Sequence, residues 1–267
     1  MKVFVASFNR ATDSALEKLI GELKKRSMYS IDSDEADIIL AVADRTETFD
    51  FVCECFKDNK RIVHLWAGEI SCFATHDDVW RHSMTLMSEM QLCTNDSAKQ
   101  RVDKLCNSID KKPNSYVVGN VYIDGINVND TYVDYIGLKK YEYDVVLYNP
   151  ITRYEKSDVD GELKQIVSLI KGNKYIWIEA NGDKYTESVN LLANTPTIRR
   201  PDFLCLLKYC KRFITNSSCQ YFEAPFIMDK DRIVSIGKRN IERESKRTDM
   251  SIKNATANII TCLEKLK

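Results

Sequence analysis

Short aliphatic runs alternate along this chain with segments whose apolar residues recur at helical spacing. KVFVAS, DIILAVAD and RIVHLWAG are typical of buried strands, whereas TDSALEKLIGELKK and ETFDFVCECFKD between them are typical of amphipathic helices. Strands separated by helices pair in parallel, because a parallel pair needs a long crossover connection. The alternation predicts an α/β fold.

The alternation is interrupted once and then resumes. A stretch rich in Asn, Asp and Gly runs through residue 136, and four further strands are predicted in DVVLYN, KYIWIEA, RFITN and RIVSIG. We therefore predict two Rossmann-like domains with a ligand-binding cleft between them, which is a GT-B-like architecture. The expected bounds are an N-terminal domain over 1–140, a C-terminal domain over 141–250 and a closing helix over 251–267.

The amino-acid composition limits the kinds of molecule that this chain is expected to bind. Lys and Arg together number 39, as do Asp and Glu, so no bulk charge favours nucleic acid or an anionic membrane. No run has the length of a signal peptide or a spanning helix, and we expect a cytoplasmic protein. The nine cysteines are odd in number and scattered, which favours free thiols over disulfides or a zinc site.

All three histidines lie in one run, HLWAGEISCFATHDDVWRHSMT, which also carries four charged side chains: Glu69, Asp77, Asp78 and Arg81. The run follows a predicted strand, and α/β enzymes place their active sites at the carboxyl ends of strands. An enzyme is the first interpretation. A metal site is an alternative, but His76 and His82 are not at a common helical ligand spacing, and His64 lies inside an apolar strand.

A second polar run, RFITNSSCQYFEAP, lies in the C-terminal half. Ser217 and Ser218 precede a predicted helix, where amides and hydroxyls suit phosphate oxygens, and Glu223 could accept ribose hydroxyls. The alternative is that the serines only cap the helix. In SIGKRNIERE, Arg239 and Arg243 could bind a pyrophosphate, and a solvated charge run is the alternative there.

Five motifs in this order, HLWAGEIS, HDDVWRHSMT, RPDFLCLLKYC, TNSSCQYFEAP and SIGKRNIERE, resemble those of the UDP-N-acetylglucosamine 2-epimerases. The resemblance covers about residues 37–243 and is strongest to the hydrolysing branch, which makes N-acetylmannosamine for sialic-acid-type pathways. It implies a GT-B-like fold that holds UDP mainly in the C-terminal domain. It also implies a UDP-sugar substrate, no cofactor, no metal and a possible homodimer.

The resemblance assigns roles to individual residues. Asp44, Glu69 and Asp77 match the acids of family motifs and would handle protons at C2, at C3 and at the glycosidic oxygen of the sugar. Arg81 and His82 would orient these acids. The UDP-binding residues implied by the family are Ser217 and Ser218 for phosphate, Glu223 for ribose, and Arg10, Asn149, Arg239 and Arg243 for the diphosphate.

The implied reaction is an elimination followed by hydration. A base removes the C2 proton as UDP leaves, and water then adds to the glycal-like intermediate with inversion at C2. Such a base works best with a pKa near neutrality, which burial or neighbouring acids can provide.

Two features depart from the family. Asn149 stands where the family usually has a histidine, and an amide neither titrates nor carries charge. The chain is also short between its first helix and DIILAVAD, so we expect a shortened, divergent member. A GT-B-like glycosyltransferase using a UDP-sugar donor and a non-catalytic sugar-nucleotide binder are the alternatives to the hydrolysing epimerase.

Overall fold

The computed structural model describes residues 1–8, 10–71, 76–151, 154–180, 184–239, 252 and 254–267, with the side chains of 10–14 left aside. The chain divides into two compact units. One contains Met1–Gly125 together with the C-terminal helix, and the other begins at Ile126. Each unit has its own parallel sheet, which confirms the predicted α/β class with two Rossmann-like parts.

The sheet of the first unit has six strands: β1 (Val3–Ala6), β2 (Tyr29–Ser30), β3 (Ile38–Val42), β4 (Ile62–Leu65), β5 (Met90–Cys93) and β6 (Ser115–Val117). Their order is β2-β1-β3-β4-β5-β6. The helices are α1 (Arg10–Lys25), α2 (Thr46–Lys57), α3 (His76–Met87), α4 (Asp96–Asn107) and α5 (Val121–Asp124).

The second sheet has four strands: β7 (Tyr143–Leu147), β8 (Lys174–Ile178), β9 (Arg212–Thr215) and β10 (Ile233–Ser235). Their order is β10-β9-β7-β8. The helices are α6 (Tyr132–Tyr135), α7 (Lys156–Ile170), α8 (Thr186–Asn190), α9 (Arg200–Tyr209) and α10 (Cys219–Phe222), and α11 (Ala255–Glu264) follows in the first unit.

The central strand β3 shows why the first sheet forms. Its five residues are all buried. Leu40 packs into the core that contains Leu19 of α1, whereas Ile39 packs on the opposite face with Val52 of α2. A parallel strand covered by helices on both faces needs a continuous apolar run, because neither face meets water.

Strand β5 is not among the strands predicted from the sequence. Its sequence, MQLC, is short and includes a polar residue. Gln91 is fully buried, and its amide donates to the carbonyls of Thr85 and Ser88 at 3.2 and 2.7 Å. The burial of this satisfied amide explains why the apolar pattern failed here.

The division between the units also differs from the expected boundary at residue 140. The segment after Ile126 belongs to the second unit because Val133 and Leu138 share a core with Leu206 of α9. The predicted closing helix is present as α11, and its Ile259 packs into the core of the first unit. Within the described ranges, no helix is long and apolar enough to cross a membrane.

Strand order locates the favoured ligand-binding edge of each sheet. In the first unit β1 lies between β2 and β3, and in the second β7 lies between β8 and β9. The chain changes direction across the sheet at these strands, and ligands of open α/β sheets bind outside the carboxyl ends at such points. The segments after β1, β3, β7 and β9 are therefore where function is expected.

A buried carboxylate in β7, paired with an arginine of β9 whose side chain is 27% exposed, allows a test of the second sheet. Asp144 has no exposed surface, and Arg212 donates to both of its carboxylate oxygens at 3.0 and 2.6 Å. We expect Arg212→Gln to lower the free energy of unfolding by about 3 kcal/mol, because it leaves a buried carboxylate unpaired. Urea unfolding measures this change.

The matched control is Arg61→Gln, which removes another two-pronged arginine–carboxylate pair. Arg61 and Glu89 are about 40% exposed, with side-chain values of 42% and 40%. Its loss should cost less than about 1 kcal/mol. Equal losses in the two variants would contradict the stabilising role assigned to the buried pair.

Candidate functional site

The guanidinium of Arg81 joins three segments of the first unit. Nη1 donates to Asp78 Oδ1 at 2.6 Å and to the carbonyl oxygen of Glu69 at 2.9 Å, and Nη2 donates to the Asp44 carboxylate. Asp44 follows β3, Glu69 follows β4, and Asp78 lies on α3 with Arg81. One side chain therefore fixes the carboxyl ends of two neighbouring strands against a helix.

Asp78 is the second carboxylate of this cluster and is not among the residues assigned a role from the sequence. It also accepts the backbone N–H of Ser71 at 2.6 Å, so it holds the segment before α3 as well as Arg81. In the sequence, the i,i+3 spacing of Asp78 and Arg81 indicates that their side chains can meet on one face of a helix. Asp77, the acid expected to be catalytic, is half-buried in the first turn of α3.

The Glu69 side chain is buried and bound through one oxygen. Oε1 accepts the hydroxyl of Thr94 and the amide Nδ2 of Asn95 at 3.2 Å. Both donors directly follow β5, the strand that the sequence analysis missed. They are functional candidates that only the fold reveals.

The turn before Glu69 requires glycine at position 68. Gly68 has φ +76°, and a Cβ there would lie 2.2 Å from the carbonyl oxygen of Ala98 in α4. The Gly68 carbonyl accepts a hydrogen bond from Arg101 of the same helix. Close packing on α4 thus fixes the backbone that carries Glu69.

The histidines have different environments. His64 is fully buried and contacts Thr85 Oγ1 at 3.0 Å and the Ala43 carbonyl at 2.9 Å, which agrees with the core role expected from its strand. Burial lowers its pKa to about 4. Burial, together with the charges of Arg81 and Arg101, lowers the pKa of His82 to about 4 as well.

His76, the third histidine, is exposed at the start of α3. Among the described residues, no group of three His, Cys, Asp or Glu side chains could hold a metal ion. The side chain of Arg10 lies outside the described part of the chain, so its expected contact with the diphosphate stays a prediction.

The second unit joins its strand ends with neutral groups. The backbone N–H of Asn149 donates to Asn216 Oδ1 at 2.9 Å, and Asn216 Nδ2 donates back to the Asn149 carbonyl at 2.7 Å. These residues follow β7 and β9, so the amide bridges the sheet where the chain changes direction. Arg239 also donates to the Asn149 carbonyl, at 3.1 Å.

Glu223 is buried in an ion pair with a residue not singled out from the sequence. Arg200 Nε donates to Glu223 Oε1 at 2.6 Å, and both side chains are less than 10% exposed, at 8% and 9%. Burial raises the pKa of Glu223, and the Arg200 charge opposes that shift. A ribose would therefore meet this carboxylate together with its arginine.

The serines of TNSSCQYFEAP lie at the start of α10. Ser217 Oγ accepts the backbone N–H of Cys219 at 3.4 Å, and Ser218 directly precedes the helix without capping it through its side chain. The Ser217 hydroxyl also contacts the Cys219 side chain. Arg243, the other candidate for the diphosphate, lies outside the described residues.

Together, the two units offer different chemistry. In the first, Arg81 binds the Asp44 carboxylate and the Glu69 backbone carbonyl at adjacent strand ends, and Thr94 and Asn95 hold the Glu69 carboxylate, so acids are placed where protons could be moved. In the second, amides, hydroxyls and Arg239 surround the strand ends, which suits an anionic ligand.

A family model described as UDP-N-acetylglucosamine 2-epimerase matches residues 4–267. A relative in Neisseria meningitidis serogroup B, named UDP-N-acetylglucosamine 2-epimerase, is 25% identical over 87% of this chain. A relative in Legionella pneumophila, named UDP-N,N'-diacetylbacillosamine 2-epimerase (hydrolyzing), is 23% identical over 88% of it. The chain spans 64% and 65% of the lengths of these two relatives.

Solved structures support the fold. The crystal structure of UDP-GlcNAc 2-epimerase from Neisseria meningitidis bound to UDP-GlcNAc aligns with a TM-score of 0.70 and 12% identity, covering 99% of this chain and 100% of that one. The similarity establishes a GT-B-like fold with two Rossmann-like units.

The buried histidines give a prediction about charge in the first unit. His64 and His82 should bind a proton only near pH 4, below the ordinary midpoint of about 6.5, because burial disfavours the imidazolium. As the pH falls below 6.5, the unfolded chain binds these protons first, so the folded state loses stability.

NMR of the ring nitrogens, assigned with His64→Asn and His82→Asn variants, measures both midpoints. Neutral rings at pH 5.5 are expected. A His82 midpoint near 6.5 would contradict the environment described, and would make that side chain available as a proton donor at neutral pH.

Proposed function

Because this chain belongs to the UDP-N-acetylglucosamine 2-epimerase family, we propose that it is a hydrolysing epimerase acting on a UDP-linked 2-acetamido sugar. The products would be UDP and the free sugar with inverted configuration at C2. The observation that carries the proposal is that Arg81 binds both the carboxylate of Asp44 and the backbone carbonyl of Glu69, which holds these two acidic residues at adjacent strand ends. The relative named as hydrolyzing supports the choice of branch.

The proposed reaction moves two protons and one water molecule. A carboxylate takes the C2 proton while the C1–O bond to UDP breaks, which leaves a C1=C2 double bond. Water then adds its hydroxyl to C1, and a proton is delivered to C2 from the opposite face. The three acids Asp44, Glu69 and Asp77 would share these transfers, and Arg81 would hold two of their segments in place.

Glu69 is the strongest candidate for contact with the sugar. Its Oε1 is bound by Thr94 and Asn95, whereas Oε2 receives no hydrogen bond from any residue in the described ranges. His82, whose ring is neutral at neutral pH because burial lowers its pKa to about 4, would help Arg81 to orient these acids.

The UDP moiety is assigned to the second unit. Ser217 and Ser218 would bind phosphate, and Glu223, oriented by Arg200, would bind the ribose hydroxyls. Arg239 would contribute positive charge beside Asn149. Arg243 and Arg10 complete the proposed set through their positions in the sequence motifs.

The substrate, the location and the pathway are also proposed from the family. UDP-N-acetylglucosamine is the first substrate to test, and a diacetylated relative is the next because the Legionella pneumophila protein is named for one. A homodimeric cytoplasmic enzyme of a sialic-acid-type pathway fits the family.

Asn149 favours one other function, a sugar-nucleotide binder without turnover. Its backbone N–H and carbonyl are both engaged by Asn216, and its side chain cannot supply the charge of a histidine. UDP would then bind without being released from a substrate.

Turnover in deuterated buffer tests the proposed reaction. With UDP-N-acetylglucosamine as substrate, we expect free N-acetylmannosamine carrying one deuterium at C2, together with UDP, in an NMR time course. Solvent deuterium enters because the C2 proton is lost before water adds. Product without deuterium at C2 would contradict the elimination, and saturable binding without product would favour the binder.

Two isosteric variants separate chemistry from binding. Glu69→Gln removes a proton acceptor and should lower kcat by about 100-fold or more, with the Kd for UDP within about twofold of the wild type. Glu223→Gln should instead raise the Kd for UDP by about tenfold, because it weakens hydrogen bonds to ribose.

Calorimetric titration with UDP and the turnover assay are run on both proteins, after a thermal melt has shown that each is folded. The melt matters for Glu223→Gln, since it leaves Arg200 buried without its counter-charge. Unchanged turnover in Glu69→Gln would remove Glu69 from the catalytic set. A purely catalytic defect in Glu223→Gln would contradict its ribose role.

A further inference from the structure

We propose that Thr94 is a positioning residue for the reaction: its hydroxyl donates to Glu69 Oε1 and so holds that carboxylate in one rotamer, with its other oxygen available. The role of Glu69 itself rests on the proposed function. The orientation of the hydrogen bonds around Thr94 follows from the structure, starting at the first turn of α4.

The Asn95 amide has only one possible orientation. Its Oδ1 accepts the backbone N–H of Ala98 at 2.9 Å, as the N-cap of α4. A backbone N–H can only donate, so this side of the amide is oxygen and the opposite side is NH₂. The NH₂ group faces Glu69 Oε1 at 3.2 Å and Thr94 Oγ1 at 2.9 Å.

The direction of the Thr94 hydrogen bond follows from that of Asn95. Since Nδ2 can only donate, Thr94 Oγ1 is its acceptor, and the single hydroxyl hydrogen of Thr94 remains for another partner. That partner is Glu69 Oε1, the other group in contact with the hydroxyl. Glu69 Oε1 therefore receives two donors, and neither can reverse its role without breaking the cap of α4.

The hydrogen bonds among these three side chains matter because all three side chains are buried. Thr94 is 1% exposed, Asn95 8% and Glu69 9%, so water is largely excluded from the carboxylate. A buried polar group that loses a hydrogen-bond partner cannot replace it with water, so the loss of the Thr94 donor would leave Glu69 Oε1 less firmly held. The charged and titratable groups beside it are Arg81 at its carbonyl, Arg101 at the Gly68 carbonyl, and the Cys93 thiol.

Thr94→Val is the sharpest change, because valine has nearly the same shape and lacks only the hydroxyl. Asn95 is less suitable, since its loss would also remove the cap of α4. Thr94→Ser restores the hydroxyl. Thr85→Val is the matched control: Thr85 is fully buried and its hydroxyl donates to the Arg81 carbonyl at 3.0 Å, without touching Glu69.

The first readout is the pKa of Glu69 itself. It is measured by NMR on protein labelled with ¹³C at the glutamate carboxylate, and assigned with Glu69→Gln. Thr94→Val should raise this pKa by about one unit, because a donor to the ionised form is lost. Thr94→Ser should restore the wild-type value, and Thr85→Val should leave it unchanged.

The second readout is turnover. Thr94→Val should lower kcat about tenfold and move the acidic limb of its pH profile upward by the same unit, with the Kd for UDP unchanged. A Glu69 pKa and kcat that do not respond to Thr94→Val would overturn the positioning role, as would an equal shift in Thr85→Val.

The two readouts keep this inference separate from the proposed function. A wild-type protein that releases no UDP would overturn the epimerase assignment. In that case a raised Glu69 pKa in Thr94→Val would still support the hydrogen bond from Thr94, and an unmoved pKa would overturn it.

Discussion

The buried guanidinium of Arg81 is the group on which the first unit's site depends. It is 3% exposed, and its contacts with Asp44, Asp78 and the Glu69 carbonyl balance its charge. Removing one partner of a buried ion pair typically costs 3–5 kcal/mol, a large part of the stability of an ordinary domain. The same contacts that stabilise the unit therefore determine where its acids lie.

The second unit holds its strand ends together through a neutral amide side chain. Asn216 bridges the ends of β7 and β9 through reciprocal hydrogen bonds to the backbone of Asn149. Because this bridge is neutral, the positive charge of Arg239 sets the local electrostatic potential, which suits an anionic diphosphate. In the first unit, the carboxylates around Arg81 suit proton transfer. The division of labour proposed for the chain follows from this difference in polarity.

Much of the architecture could be predicted from local pattern, because parallel strands covered on both faces need continuous apolar runs such as IILAV in β3. The pattern failed for β5, where Gln91 is satisfied by contacts that only the folded chain provides. Asp77 and Asp78 are adjacent in sequence, and the rotational position of α3 decides which of them faces Arg81. In the structure, Asp78 does. Thr94 and Arg200 were missed because their partners, Glu69 and Glu223, are 25 and 23 residues away.

We propose that, of the three acids, Glu69 after β4 is the one that acts at C2 of the sugar. A crystal structure of Glu69→Gln with intact UDP-N-acetylglucosamine would show this contact, since the variant should bind the substrate without consuming it. We expect the residue-69 amide within about 3.5 Å of C2, the separation of a reactive arrangement. A sugar whose C2 lies well beyond contact distance of this side chain, with the Thr94 and Asn95 contacts intact, would contradict it.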